Sequence, residues 1–411
     1  MIKALVIFLI TYFIISAQRI SWSAFGGLDR PTGALMGAVL MVSLGVMTME
    51  EAYRAIDLNT IVLLLGMMII VAYLKVANFF EYLAYILLSW SKSATGLLCL
   101  VSLSSAVFSA LFINDTICLL FTPLLLCALS KTSLNPVPFL IALATSSNIG
   151  SVVTLTGNPQ NMIVGVLSGW PYWKYFLYML PVGCLALILN VAVIYLFFHK
   201  DLSQKELNHL VLSKPFIDGD LMTKLVLILI GIFLGFTFSK NLPLVSIMGG
   251  TAALMLSGVK PSYALERVNW TLLLFFACLF IVVAGVRKVG LVDMLYRQME
   301  PFMGQTLHGQ IVGFSLFSVL ASNLVSNVPY VILASQWMDR FSEPSVMWLV
   351  LAMSSTFAGN LTVIGSVANM IVLELSRETV HIGFLQFLKV GLTVTLLSEA
   401  VGVAITILLL G

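Results

Sequence analysis

Gly157, Asn161, Met162, Ile163 and Val164 recur 208 positions later as Gly365, Asn369, Met370, Ile371 and Val372. A second shift, of 212, lays Met36-Gly37 on Met248-Gly249, Ala52 on Ala264, Asp57 on Asn269, Lys75 on Arg287 and Glu81 on Asp293. Two shifts four residues apart amount to one small indel inside a duplicated unit, so the fold must be built twice from one plan. The duplication divides the chain into a first repeat over 1–198, a polar linker over 199–221 and a second repeat over 222–411. An apolar run from residue 4 to Ala17 resembles a secretory leader, but the duplication requires a first helix there.

The unit is made for a bilayer. Of the 411 residues 60% are hydrophobic and 9% charged, and mean hydropathy is +1.05. A soluble domain carries roughly 25% charged residues. At about 20 residues per crossing, the chain accommodates some ten spans and no large soluble domain. The expected fold class is therefore an all-α polytopic membrane protein, multi-pass in the inner (plasma) membrane. Each repeat is expected to hold about five spans, one of them broken, plus a re-entrant helical hairpin. The hairpins fall at about 95–130 and 309–338, and the broken helices at about 137–168 and 346–373. Residues 78–90 are too short to span and read as an interfacial amphipathic helix, with 290–302 as its counterpart.

An odd number of crossings per unit turns the second copy upside down. With the linker in the cytoplasm, thirteen of the 21 Lys and Arg fall inside, among them Arg19, Arg30, Lys75, Lys131, Lys205 and Arg267. Eight fall outside, including Lys240, Arg287 and Lys288, in accord with the positive-inside rule. Both termini are then outside.

Polar groups at membrane depth cost free energy and mark function. Asn114-Asp115-Thr116 is wedged between apolar stretches where a hairpin tip is expected, and Ser326-Asn327-Val328-Pro329 is its counterpart. Thr145-Ser146-Ser147-Asn148 leads into Thr156-Gly157-Asn158-Pro159-Gln160-Asn161, where Gly and Pro break a helix. The second break runs through Asn360, Thr362, Gly365, Ser366 and Asn369, with Val367 in place of Pro159, and is expected to be less sharp. Irregular backbone at this depth is tolerated where it lines a cavity or is buried in protein. Half-helix N-termini suit an anion or an oxygen-rich neutral solute. Two hairpin tips meeting two breaks are expected to form one amide- and hydroxyl-rich pocket with a single acid and no Arg or Lys. Its candidate residues are Asn114, Asp115, Thr116, Asn148, Thr156, Gly157, Asn158, Asn161, Ser326, Asn327, Asn360, Thr362, Gly365, Ser366 and Asn369.

Plainer readings stand beside these. Ser102, Ser104, Ser105 and Ser109 suit helix–helix packing. Asn158, Asn161 and Asn369 suit capping of broken helices, and Asp115 a capped acid at a turn. Asp57 and Asn269 read as helix caps. Glu374 reads as interfacial, and Glu399, deep in the last span, as a second ion-pathway candidate.

Other chemistries lack their residues. The five cysteines lie in apolar runs without a CxxC pair, the four histidines do not cluster, and no HExxH or GxxxxGK[ST] occurs. No metal site, cofactor or ATP hydrolysis within the chain is expected, and the scattered basic residues make nucleic acid an unlikely partner.

At Asn114-Asp115-Thr116 with Thr122-Pro123, at Gly157-Asn158-Pro159-Gln160-Asn161, at Ser326-Asn327-Val328-Pro329 and at Gly359–Asn369, the chain resembles the ion transporter superfamily. That superfamily holds arsenical pump membrane proteins, NhaD-type sodium/proton antiporters and citrate or dicarboxylate transporters. The Asn-Asp pair and Ile364-Gly365-Ser366 look most like the arsenical pump branch, and Gly157–Asn161 like generic anion transporters. The resemblance implies alternating access around a central site lined by Asn114 and Asp115. The expected activity is export of a small oxygen-rich solute, arsenite or antimonite, in exchange for protons, with Asp115 as the coupling acid. A sodium- or proton-coupled carboxylate or inorganic-anion transporter and a Na⁺/H⁺ antiporter stay open as alternatives. Partners are the solute, H⁺ or Na⁺ and the lipid bilayer, with a homodimer and a separate ATPase subunit left open.

Overall fold

The computed structural model describes residues 1–17, 29–130, 132–202 and 214–411. Arg19, Lys131 and Lys205, and residues 203–213 of the expected linker, lie outside them. The described chain is all-α, and seven helices are long and apolar enough to cross a membrane.

The helix order of the first half recurs in the second. Ile2–Ala17, Arg30–Ser43, Met49–Ala55, Leu58–Val76 and Phe79–Trp90 are followed by a helical pair, Ala94–Leu111 and Asn114–Leu129. Then come Val137–Ser151, Pro159–Ser168 and the long Tyr172–Phe197. After the short His199–Leu202, the series resumes with Gly219–Phe238, Leu242–Leu256, Pro261–Leu265, Trp270–Lys288 and Leu291–Met303. The second helical pair is Leu307–Val325 and Asn327–Ala334, the latter continued by a 3₁₀ turn, Ser335–Arg340. Pro344–Phe357, Val367–Ser376 and Phe384–Leu410 complete the half.

Local chemistry sets the helix starts. The Asp57 carboxylate accepts from the amides of Asn59 and Thr60 at 2.9 and 3.3 Å, and Asn269 Oδ1 from Leu272 at 3.1 Å. Both act as the expected N-caps, answering orphan donors. Thr48 and Glu51 close a capping box on Met49–Ala55. Pro123 sits inside Asn114–Leu129, where it deletes one helical hydrogen bond.

Packing between the halves is reciprocal. Leu58–Val76 lies along Leu242–Leu256, while its counterpart Trp270–Lys288 lies along Arg30–Ser43. Asn114–Leu129 packs on Val367–Ser376, and its counterpart Asn327–Ala334 packs on Pro159–Ser168. The two longest helices, Tyr172–Phe197 and Phe384–Leu410, pack against each other.

Polar contacts fix the two ends. At one end Asn135, just before Val137–Ser151, donates to Asp201 at 3.2 Å, and Asn78 donates to the Phe216 carbonyl at 3.0 Å. At the other, Trp170 Nε1 donates to the Ser345 carbonyl at 2.9 Å. There too Lys288 pairs with Glu51 at 2.6 Å, and this hydrogen bond holds the exposed Glu51 carboxyl below the usual carboxylate range.

Candidate functional site

The breaks come from residues that a continuous helix cannot house. Val137–Ser151 ends, residues 152–158 run without helix, and Pro159 opens the next helix as its first residue. There its missing N–H is no loss. Asn158 caps that helix by accepting from the Asn161 amide at 2.7 Å. In the second half Pro344–Phe357 gives way to the 3₁₀ turns Ala358–Asn360 and Val363–Gly365 before Val367–Ser376. This break keeps helical turns, and Ser366 caps Val367–Ser376 by accepting from the Ala368 amide at 3.2 Å.

Gly157 and Gly365 occupy equivalent places for one reason. A Cβ on Gly157 would lie 2.3 Å from the Ser151 carbonyl oxygen, and one on Gly365 2.8 Å from the Gly359 carbonyl oxygen. Each loop folds back onto backbone, and only glycine leaves room.

An amide network joins the halves behind the breaks. Asn148, fully surrounded, accepts from Asn114 Nδ2 at 2.9 Å and Ser366 Oγ at 3.0 Å, and donates to Asn360 Oδ1 at 2.9 Å and Asn369 Oδ1 at 3.1 Å. Four elements from both halves thus converge on one side chain. Thr356, 208 residues beyond Asn148, does the reciprocal work, accepting from Asn158 Nδ2 at 3.2 Å and from Gln160 Nε2 at 3.4 Å. The Asn114 backbone amide donates to the Gly157 carbonyl at 3.0 Å, tying the first hairpin turn to the first break.

A cavity of about 40 Å³ lies in front of this network. Six expected residues line it: Asn114, Asp115, Ser326, Asn327, Gly365 and Ser366. Pro159, Gln160, Phe275, Phe276 and Arg30 line it as well. Asn114 is buried, and among the described residues its Oδ1 finds no partner, leaving an acceptor at the wall. Asn327 is held by Ser322 Oγ, which donates to its Oδ1 at 2.8 Å. Ser326 turns the chain at φ 86°, a left-handed conformation unusual for a residue with a side chain.

The other expected residues take different places. Asn148, Asn158, Asn161, Asn360 and Asn369 are buried in the supporting network rather than at the cavity surface. Thr156 is buried and pairs with the Tyr172 hydroxyl at 2.8 Å. Thr362 bonds Asn323 Oδ1 at 3.1 Å on the far side of the second break. Thr116 faces a second cavity of about 180 Å³, shared with Asp115. Exposed Lys75 and Arg267 stand among that cavity's lining residues. Asp115 therefore stands between an inner polar chamber and a wider vestibule with a basic rim.

The expectation of a pocket free of Arg and Lys is corrected by Arg30. Its guanidinium donates to Met370 Sδ at 3.2 Å and shares the inner cavity with Asp115 without a direct ion pair. Among the described residues the Asp115 carboxylate has no hydrogen-bond or ion-pair partner. The chamber thus holds one acid and one base and is neutral as a whole. The sequence places Arg30 at the head of an apolar run, where a cation reads as a membrane-edge residue. Its helix is only 14 residues long, about 21 Å, and stops short of a bilayer's width.

Comparison with known proteins gives a consistent picture. The family model described as a citrate transporter matches residues 10–348. A putative transporter, arsB, of Dictyostelium discoideum is 27% identical, over 98% of this chain and 92% of its own length. The silicon efflux transporter LSI3 of Oryza sativa is 29% identical, over 92% of each. Among solved structures, the YdaH transporter of Alcanivorax borkumensis superposes with a TM-score of 0.59 at 12% identity, covering 98% of this chain and 97% of that one. This last likeness speaks to the fold alone.

Proposed function

The chain belongs to the citrate transporter family and is an ion-coupled secondary transporter of the plasma membrane, and on that premise we propose that it exports a small, neutral, polyhydroxylated solute, arsenite or antimonite, in exchange for protons. The observation that carries this reading is the inner chamber. Its polar wall is amide and hydroxyl, from Asn114, Ser326, Asn327 and Ser366, and its one acid is balanced by its one base. At neutral pH arsenite is an uncharged trihydroxide. It needs acceptors for its O–H groups, which Asn114 Oδ1 and the Asp115 carboxylate offer, and no excess of fixed positive charge.

Size supports the same class. A water needs a cavity of roughly 10–15 Å³, so 40 Å³ accommodates about three waters or one solute of similar bulk. Export is also what the rice relative, a silicon efflux transporter, is named for. Asp115, facing both chamber and vestibule, is placed to take a proton from one and lose it to the other. The reciprocal packing of the halves supports two inverted repeats, with the Lys75–Arg267 vestibule facing the cytoplasm.

A second reading is transport of a carboxylate, favoured by Arg30 in the chamber and by the family's description. Everted membrane vesicles with an imposed proton gradient, acid inside, decide between them. Arsenite accumulation that a protonophore abolishes is the expected result. No arsenite movement, with citrate or an inorganic anion taken up on addition of sodium, would replace the reading with the second one.

A further inference from the structure

Glu399 lies in the last helix, 5% exposed, in a setting the chamber does not explain. Ser315 Oγ, from the first arm of the second hairpin, donates to Glu399 Oε1. Ser354, from the first half of the second broken helix, approaches the same carboxyl short of hydrogen-bond geometry. Glu399 Oε2, Ser354 Oγ and Ser398 Oγ are all buried and without a hydrogen-bond partner among the described residues. Tyr330 is the titratable side chain near it, and its hydroxyl pairs with Ser318 at 2.7 Å. Among the described residues no Lys, Arg or His pairs with Glu399.

The first half fills the matching junction without an acid. Ser146 and Asn190 stand 208 positions before Ser354 and Ser398, and Asn190 Nδ2 donates to Ser146 Oγ at 2.9 Å. A neutral amide is therefore sufficient to join these helices, and packing does not call for a carboxyl. An isolated carboxylate in such a setting is costly and neutralises instead. Protonated, Glu399 carries no charge for its unpaired neighbours to answer, and its Oε2–H can donate to Ser354 Oγ once the two close to hydrogen-bond distance.

We propose that Glu399 is a second proton-carrying group, clasped between the second hairpin, the second broken helix and the last helix, so that two protons exchange for each solute moved. The proposal rests on the proton-exchange reading above and extends it from Asp115 to the second half. Ser315 and Ser354 sit on the two elements that also build the chamber. A rearrangement opening the chamber would therefore part them from Glu399 and let its proton leave.

The test uses the full chain reconstituted in vesicles, with the membrane potential clamped at zero and arsenite as probe. Each exchanged proton contributes about tenfold solute accumulation per pH unit. The expected ratios are about 100-fold per pH unit for the wild type and about tenfold for Glu399→Gln, whose amide keeps the bond from Ser315. An unchanged ratio in Glu399→Gln overturns the proposal. Infrared spectroscopy of the same protein gives a readout independent of transport. A protonated-carboxyl band at neutral pH that vanishes in Glu399→Gln and persists in Asp115→Asn is expected. Its absence, or its loss on adding sodium, overturns the proposal. A wild type without proton-driven accumulation, but with the band, instead sinks the proton-exchange reading and the two-proton count together while leaving the proton on Glu399.

Discussion

Asn161 and Asn369 make the same stitch in the two halves. Asn161 Nδ2 donates to the carbonyls of Ser151 and Thr154 at 2.9 and 3.0 Å. Asn369 Nδ2 donates to those of Gly359 and Thr362 at 2.7 and 3.0 Å. Each acceptor in the second half stands 208 residues after its counterpart in the first. In both places one amide group answers two carbonyls released where a helix stops, the requirement that unwound backbone faces in a membrane interior.

Asn161→Ala and Asn369→Ala are each expected to weaken the protein by about 2–4 kcal/mol, because two buried carbonyls lose their donor. The loss should appear as a lower apparent Tm of the detergent-purified protein. Each Oδ1 accepts one further bond, Asn161 from Thr356 Oγ1 at 3.4 Å and Asn369 from Asn148 Nδ2 at 3.1 Å. Asn161→Ala should therefore be the more damaging only because the first break is fully buried, while residues 361–364 of the second are partly exposed. Equal and negligible shifts would show that water or a neighbouring donor replaces the stitch.

The paired glycines give an ordered prediction. Gly157→Ala meets backbone oxygen at 2.3 Å, and Gly365→Ala meets it at 2.8 Å. Both should impair transport and folding yield, and Gly157→Ala should be worse, because its Cβ would also lie 2.9 Å from the Ser109 carbonyl oxygen, against 3.1 Å from that of Ala358 for Gly365. Comparing expression and arsenite flux of the two variants checks the order. A tolerated Gly157→Ala would mean that the first break relaxes easily.

Much of this was legible in the sequence because the signals are local. Gly157 and Pro159 announce a break, and a polar triplet between apolar runs announces a turn there, which falls at Phe112-Ile113 with Asn114 and Asp115 opening the next helix. The partnerships were not legible. Asn148 bonds Asn360 across 212 residues, and nothing near either residue marks the pairing. The division of labour within the asparagines was hidden too, since Asn114 and Asn161 are equally polar residues at equal depth. Both are buried, and only their partners separate them: Asn161 is stitched to backbone carbonyls, while Asn114 keeps an Oδ1 without a partner among the described residues at the cavity wall. Arg30 escaped because the length of its helix, not its neighbours in sequence, brings it to the chamber.

Lys288 and Glu51 fasten the end of Trp270–Lys288 to the capped helix Met49–Ala55. The folded protein holds the Glu51 carboxyl below its ordinary value, so the contribution is present above the unfolded value of about 4.3. It fades as pH falls through the folded value. Lys288→Met should therefore lower thermal stability at pH 7 slightly and by less as the pH drops toward 4, and high salt should shrink the difference. A difference that grows on acidification would contradict this.

Asp115 and Arg30 balance each other across the chamber, so removing one leaves the other uncompensated at membrane depth. Asp115→Asn keeps a polar side chain but takes away the group proposed to load and release a proton. Net accumulation of arsenite driven by a pH gradient should fall from about 100-fold to about tenfold per pH unit, the share left to Glu399. Exchange of labelled for unlabelled solute at equal pH, which needs no net proton movement, should persist. The added change Arg30→Gln should restore some of the stability lost in Asp115→Asn, with a coupling of about 0.5–3 kcal/mol between the two sites, and should restore none of the proton drive. If Asp115→Asn lost exchange and accumulation alike in protein that still folds, Asp115 would be a solute-holding residue and the proton would have to travel elsewhere. If it kept exchange and the full wild-type accumulation ratio, the acid at the chamber would serve structure alone.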